Sequence, residues 1–154
     1  MLFKMMKRLK KEEKGFTLIE LLAVIVILAV IAAIAVPYIL GVINKSKNDA
    51  DAAFFHQVYE ASRLYITTEK GGTPPATVKV LTDLVGNKFL EPGLVLPSTK
   101  DPITAGKLEY TDNVLTGIVI TTKVDSYTIS PVTDVISGKG TLSAATTDYP
   151  SESN

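Results

Sequence analysis

The chain has 154 residues, a formal net charge of zero and no cysteine. This length is that of one domain plus a targeting segment. The absence of cysteine excludes a disulfide framework, a CxxC redox motif and cysteine metal sites. With a single histidine, His56, and no cysteine, the common zinc sites are excluded.

The net charge hides an asymmetry between the start of the chain and the rest. Residues 1–15 carry six bases and two acids, whereas residues 16–154 carry ten bases and fourteen acids. A basic segment before an apolar run orients a membrane helix with its N-terminus in the cytoplasm. The acidic remainder argues against direct binding of nucleic acid.

Residues 21–43 form an apolar run of 23 residues without a charge. As a helix the run is about 34 Å long, enough to cross a bilayer core of about 30 Å. It exceeds the apolar core of a secretory signal peptide, about 7–15 residues. Pro37-Tyr38-Ile39-Leu40 stands where a small-x-small cleavage site would be expected. The run predicts a membrane-spanning segment, with a plain signal-anchor or secretory signal peptide as the alternative.

Glu20 lies near the start of this apolar stretch. A central acid in a membrane helix costs roughly 2.5–3.5 kcal/mol on insertion scales, and less near an end, so such a charge normally has a partner. A cut between Gly15 and Phe16 would create an α-amine about one helical turn from Glu20. In a stack of such helices the carboxylate could pair with a neighbouring subunit's amine. Alternatively, Glu20 reaches the membrane interface and has no role.

A short motif at this junction reads Lys14-Gly15-Phe16-Thr17-Leu18-Ile19-Glu20. It resembles the class III signal of type IV pilins and pseudopilins, closely over residues 10–45 and only in overall layout beyond. The resemblance implies that a prepilin peptidase, also the methyltransferase, cuts after Gly15 and methylates the amine of Phe16. It implies further that Glu20 serves in methylation or in subunit docking. The 15-residue leader favours a Gram-positive pilin or a pseudopilin.

Pro37 and Gly41 lie inside the predicted helix. Proline in a helix interior costs about 3 kcal/mol because a hydrogen bond is lost and the ring clashes with a carbonyl. Glycine adds roughly 1 kcal/mol of weakness. The two residues predict a weak stretch, which is either a simple kink or, as the resemblance favours, a segment that melts in a filament.

The helical pattern continues over residues 44–70 as an amphipathic half. Its apolar stripe, with Leu64 beside it, lies opposite a polar side. The stripe consists of Ala50, Phe54, Val58, Ala61 and Tyr65, and the polar side of Gln57, Glu60 and Arg63. The pattern predicts one helix of about 50 residues that ends before Gly71-Gly72. His56 is expected to be a neutral surface residue.

Residues 71–154 predict a loop-rich β head with a solvated tail rich in serine and threonine. Residues 80–85 predict a short helical turn, and residues 86–101 a loop. Strands are predicted at 107–110, 115–122 and 126–130, with an edge strand near Thr141-Leu142. Three or four antiparallel strands on one amphipathic helix make an α+β fold that resembles a pilin.

Motifs of phosphate-binding loops, serine hydrolases and zinc proteases are missing from the sequence. The chain is therefore not expected to be an enzyme or to need a cofactor. Asp101, Asp112, Asp125 and Asp134 are spread out and lack EF-hand spacing. In some secretion pseudopilins such acids bind calcium, but turn formation explains them better here.

Three functions remain open. The favoured one is a structural subunit of a type IV pilus-like helical filament, a homo-oligomer stored in the cytoplasmic membrane and assembled at the cell surface by a pilus assembly platform. The second is a pseudopilin of a type II secretion or DNA-uptake machine. The third is an uncleaved single-pass membrane protein with an exported binding domain.

The predicted segments are a leader (1–15), a membrane and filament-core helix (16–43), its amphipathic half (44–70) and the head (71–154).

Overall fold

The computed structural model describes residues 17–145. Its elements in chain order are α1 (Leu18–Glu69), β1 (Thr77–Lys79), a π-helix (Val80–Val85), β2 (Ile103–Thr111), β3 (Val114–Thr122), β4 (Ser126–Ile129), α2 (Val132–Ile136) and β5 (Leu142–Ala144). The strands form one antiparallel sheet in the order β1-β2-β3-β4-β5. The predicted α+β fold class is confirmed. The chain divides into two compact units, one up to Val42 and one from Ile43 onward.

The long helix α1 has 52 residues and runs as an α-helix through Pro37 and Gly41. A Cβ placed on Gly41 would meet no other atom within 4 Å. No contact among residues 17–145 therefore requires glycine at this position. Melting of this stretch in a filament stays a prediction.

Two glycines end α1, as predicted. Gly71 and Gly72 have φ angles of 62° and 86°, which glycine adopts without the steric cost of a Cβ. The N–H of Gly72 then donates to the carbonyl of Ile66 at 2.9 Å. One of the carbonyls left without a partner at a helix end is thereby satisfied.

The buried face of α1 begins at Asp51. Most of the predicted stripe is buried, namely Phe54, Val58, Ala61 and Tyr65. The prediction is wrong for Ala50 and Leu64, which are exposed. Ala50 precedes the part of the helix that the head covers. Leu64 is turned about 100° around the helix from its buried neighbour Tyr65, toward solvent.

The sheet packs its inner side chains against this face of α1. Leu108, Ile120 and Ile129 are fully buried and share one hydrophobic cluster with Phe55 of the helix. A two-residue turn, Asp112-Asn113, joins β2 to β3. Its φ angles of 50° and 65° suit the mirror-image turns that match the twist of a hairpin.

The three central strands and the edge strand near Leu142 confirm the sequence prediction, and the π-helix lies where a short helical turn is predicted. Neither β1 nor α2 is predicted. Both are too short to show a period, since β1 has three residues and α2 five. The predicted tail beyond residue 145 lies outside the described residues.

Two hydrogen bonds tie α1 to a loop of the head and to α2. The carboxylate of Asp51 is 3% exposed and accepts the N–H of Ser98 at 2.9 Å. Nδ1 of His56 donates to the carbonyl of Val135 at 3.0 Å. His56 is therefore half-buried against α2 and not the surface residue that the sequence suggests.

A buried pair of hydroxyl groups links α1 to the sheet. The hydroxyl oxygens of Ser62 and Tyr110 are 2.6 Å apart in the core. Burial raises the pKa of Tyr110, although the hydrogen bond with Ser62 opposes this effect. The phenol therefore stays neutral at ordinary pH and remains able to donate.

Phe55→Ala is expected to lower the free energy of unfolding of the head by about 3–5 kcal/mol, because the ring is fully buried and its removal leaves a cavity. Leu64→Ala is the matched control. Its side chain is 54% exposed, so a change of about 0.5 kcal/mol or less is expected. Denaturant unfolding of the detergent-solubilised protein, followed by tyrosine circular dichroism, measures both. Equal losses would contradict the assigned helix face.

Candidate functional site at the start of the apolar helix

Thr17 and Glu20 cap the N-terminus of α1. Oε2 of Glu20 accepts the N–H of Thr17 at 2.8 Å and its hydroxyl at 2.9 Å, while the N–H of Glu20 donates to Thr17 Oγ1 at 3.3 Å. The carbonyl of Thr17 accepts the N–H of Leu21 at 3.1 Å. Thr17 is thus the N-cap residue, and Glu20 completes a reciprocal capping box.

The capping box fixes the position of the Glu20 carboxylate. A negative charge in the first turn is favourable because the N–H groups there make the helix end positive. Both donors of Thr17 use Oε2, and none of the hydrogen bonds among residues 17–145 involves Oε1. Among the described residues, the site therefore presents an oriented carboxylate with one oxygen that no other group uses.

The first half of α1 presents apolar side chains on every side. From Leu18 to Val42, every residue except the half-buried Ala35 is exposed. A soluble monomer rarely leaves an apolar patch larger than about 300–600 Å² in water. By length and composition α1 can cross a membrane, and it is the one such helix among the described residues. This half of α1 therefore needs lipid or other helices around it.

The predicted site residues fall in different parts of the chain. Gly15 and Phe16 lie outside the described residues. Glu20 lies in the first turn of α1, and Pro37 and Gly41 lie in its apolar half. The structure thus places the carboxylate at the start of the apolar surface, and the two residues that are predicted to weaken the helix within that surface.

Thr17 is the site residue that the sequence prediction misses. Its signal is present, because Thr-x-x-Glu directly before an apolar run is the pattern of a capping box. The geometry gives Thr17 a positioning role toward Glu20.

The loop acids are distributed over several elements of the head. Asp112 and Asp125 occupy the β2–β3 and β3–β4 turns, and Asp134 lies in α2. Within residues 17–145, no three carboxylate or imidazole side chains are grouped to hold a metal ion. Turn formation accounts for Asp112 and Asp125.

The N-terminal region matches a known family model. Residues 10–36 match the model described as the prokaryotic N-terminal methylation motif. No curated protein and no solved structure matches the chain. The motif implies processing by a prepilin peptidase and assembly in a pilus-like system, and with the apolar half of α1 it fits a membrane-anchored precursor. Residues 10–36 are therefore a type IV pilin-like prepilin signal, and this signal supports a type IV pilin- or pseudopilin-like precursor.

Proposed function

We propose that the chain is the precursor of a structural subunit of a type IV pilus-like filament on the cell surface. A prepilin peptidase removes residues 1–15 and methylates the new amine of Phe16. Residues 16–43 then hold the subunit in the membrane and later form the filament core, while residues 44–70 and 71–154 form the head. The prepilin signal at residues 10–36 is the observation that carries this proposal.

The charge distribution supports the direction of insertion. The leader carries six bases directly before the apolar run, so the leader stays in the cytoplasm and the head is exported. The sequence contains no cysteine, and the core of the head consists of apolar side chains from α1 and the sheet. The head therefore needs no disulfide bond to fold after export.

Assembly exchanges lipid contacts for contacts between helices. Lipid tails are as apolar as leucine, so packing and polar pairs decide helix association in a membrane. The Glu20 carboxylate and the α-amine of Phe16 supply such a pair between neighbouring subunits. A pair of this kind is favourable only with good geometry, and Thr17 supports that geometry by fixing the carboxylate.

Mass spectrometry of protein sheared from intact cells that express the chain tests the proposal. The expected result is an N-terminal peptide in the sheared fraction that begins with N-methylated Phe16. Methylated Phe16 confined to the cell envelope would instead indicate a pseudopilin of a secretion or DNA-uptake machine. Full-length chain retained in the membrane would contradict both functions and indicate an uncleaved membrane-anchored binding protein.

A further inference from the structure

A groove of about 280 Å³ lies between the second half of α1 and the β2–β3 turn. Ile66 and Leu115 line it as buried apolar residues, whereas Val114 and Ile136 are 59% and 42% exposed. Among the described residues that line the groove, Arg63 is the one with a charge. This lining suits an apolar side chain that has a carboxylate beside it.

Arg63 keeps donors available for such a carboxylate. Its guanidinium lies 5.8 Å from the centre of the Tyr59 ring. Its Nη1 donates hydrogen bonds to both carboxylate oxygens of Glu60, each at 3.3 Å. The Arg63 and Glu60 side chains are 59% and 47% exposed, and exposed pairs of this kind contribute little. Because a guanidinium carries five N–H donors in a planar fork, several remain for a carboxylate from outside.

The turn between β3 and β4 presents side chains of this kind. Val124 is 70% exposed, more than any other large apolar side chain described after residue 43, and the adjacent Asp125 is also exposed. Thr122 holds the turn in shape. Its N–H donates to the Asp125 carbonyl at 2.9 Å, and its Oγ1 accepts the N–H groups of both Val124 and Asp125 at 3.2 Å.

We propose that the β3–β4 turn of one copy of the chain docks into the groove of the next copy in the filament. Val124 enters the groove past Val114, and the Asp125 carboxylate pairs with Arg63. The contact rests on the proposed filament function and names the surfaces through which one head meets the next.

The charges that flank the two surfaces are complementary as well. Lys123 precedes Val124 on the turn, and Glu60 lies beside Arg63 at the groove. In the docked arrangement, Lys123 of the turn therefore lies near Glu60 of the groove, while Asp125 lies near Arg63. Complementary charges of this kind select the partner and fix the register of docking.

The two surfaces lie at opposite ends of one strand. β3 begins with Val114 and ends with Thr122, and its ends are about 27 Å apart at about 3.4 Å per residue. The turn therefore cannot reach the groove of its own copy. A contact between two different surfaces can repeat from copy to copy, and it builds a fibre when the rotation between copies does not close a ring.

A contact made by one turn is smaller than the roughly 1,000 Å² expected of a stable interface. It therefore forms where the helices already hold neighbouring subunits together, which raises the effective concentration of the turn near the groove. For this reason the test uses filaments of the full chain.

The first test is cross-linking of filaments that carry Val114→Cys and Val124→Cys together. The chain has no other cysteine, and the two positions are too far apart for a bond within one copy. A short bismaleimide is expected to give a ladder of dimers, trimers and higher species on a denaturing gel. Each single variant is expected to give no species larger than a dimer. Normal filaments of the double variant without a ladder would overturn the contact.

The second test exchanges the charges. Arg63→Asp and Asp125→Arg are each expected to lower the yield of sheared filament by about tenfold, the factor for losing one good interfacial pair. The two changes together are expected to restore most of the yield. Lys88→Glu, at an exposed position that neither lines the groove nor belongs to the β3–β4 turn, is the control and is expected to leave the yield unchanged. Unchanged yields for both single variants would overturn the contact.

Results with the wild-type chain distinguish a failure of this inference from a failure of the proposed function. Wild-type filaments with methylated Phe16, combined with no ladder and no effect of the charge changes, would refute the contact and leave the function standing. Absence of wild-type filaments would refute both.

Discussion

Glu20→Gln is expected to leave membrane insertion unchanged and to reduce filament assembly by more than a hundredfold. Glutamine keeps an acceptor oxygen for the two donors of Thr17, so the capping box survives. Only the charge is lost, and the α-amine of a neighbouring subunit is left unpaired in a low dielectric, at a cost of about 3–5 kcal/mol. Membrane fractionation and immunoblotting of sheared filaments measure the two effects separately.

Thr17→Val is the matched control for this prediction. Valine has the shape of threonine but removes the hydroxyl, so one donor to Glu20 is lost while the backbone N–H and the charge remain. An N-cap change of this kind costs about 1 kcal/mol, and a modest loss of assembly is expected. The opposite order, with Glu20→Gln assembling normally and Thr17→Val failing, would show that the cap matters and the charge does not.

The long periodic elements of the fold are the ones that the sequence predicts. Helical spacing runs through the second half of α1, and alternation or β-branched content marks β2, β3 and β4, so a local pattern is enough. In contrast, β1 exists because Thr77–Lys79 pairs with residues 107–109 of β2. That partner is distant in the sequence, and three residues carry no period of their own.

The edges of the helix face show a second limit of local patterns. Ala50 fits the apolar spacing but is exposed, while the adjacent Asp51 is buried. A hydrogen bond from Ser98 satisfies the Asp51 carboxylate, which makes the burial of this acid tolerable. Because the loop that carries Ser98 is brought to α1 by the fold, the sequence pattern around Asp51 cannot reveal it.

Of the functional residues as well, some are predictable from the sequence and others are not. Glu20 is predictable because an acid in an apolar helix has a known energetic cost, and Thr17 because the capping pattern is local. The groove at Arg63 and the exposed turn at Val124 are not predictable, since α1, the β2–β3 turn and α2 form the groove only in the folded head.

Gly15→Leu is expected to leave the chain uncleaved, so that precursor accumulates in the membrane and filaments do not form. The resemblance to class III signals places glycine directly before the cut, and a large side chain there blocks close approach of the peptidase to the backbone. Isoelectric focusing detects the outcome. The precursor has a formal charge of zero, whereas residues 16–154 carry ten bases and fourteen acids, so cleavage makes the chain more acidic.

Lys14→Gln is the control for the Gly15 prediction, because it changes the residue beside Gly15 without adding bulk at the scissile bond. It is expected to preserve cleavage. If the Gly15→Leu variant were cleaved as efficiently as the wild type and carried N-methylated Phe16, the assignment of the peptidase site would be contradicted. Comparison with Glu20→Gln then orders the steps: Gly15→Leu accumulates the precursor, whereas Glu20→Gln accumulates cleaved but unassembled subunits. This order follows because removal of the leader creates the amine with which Glu20 pairs.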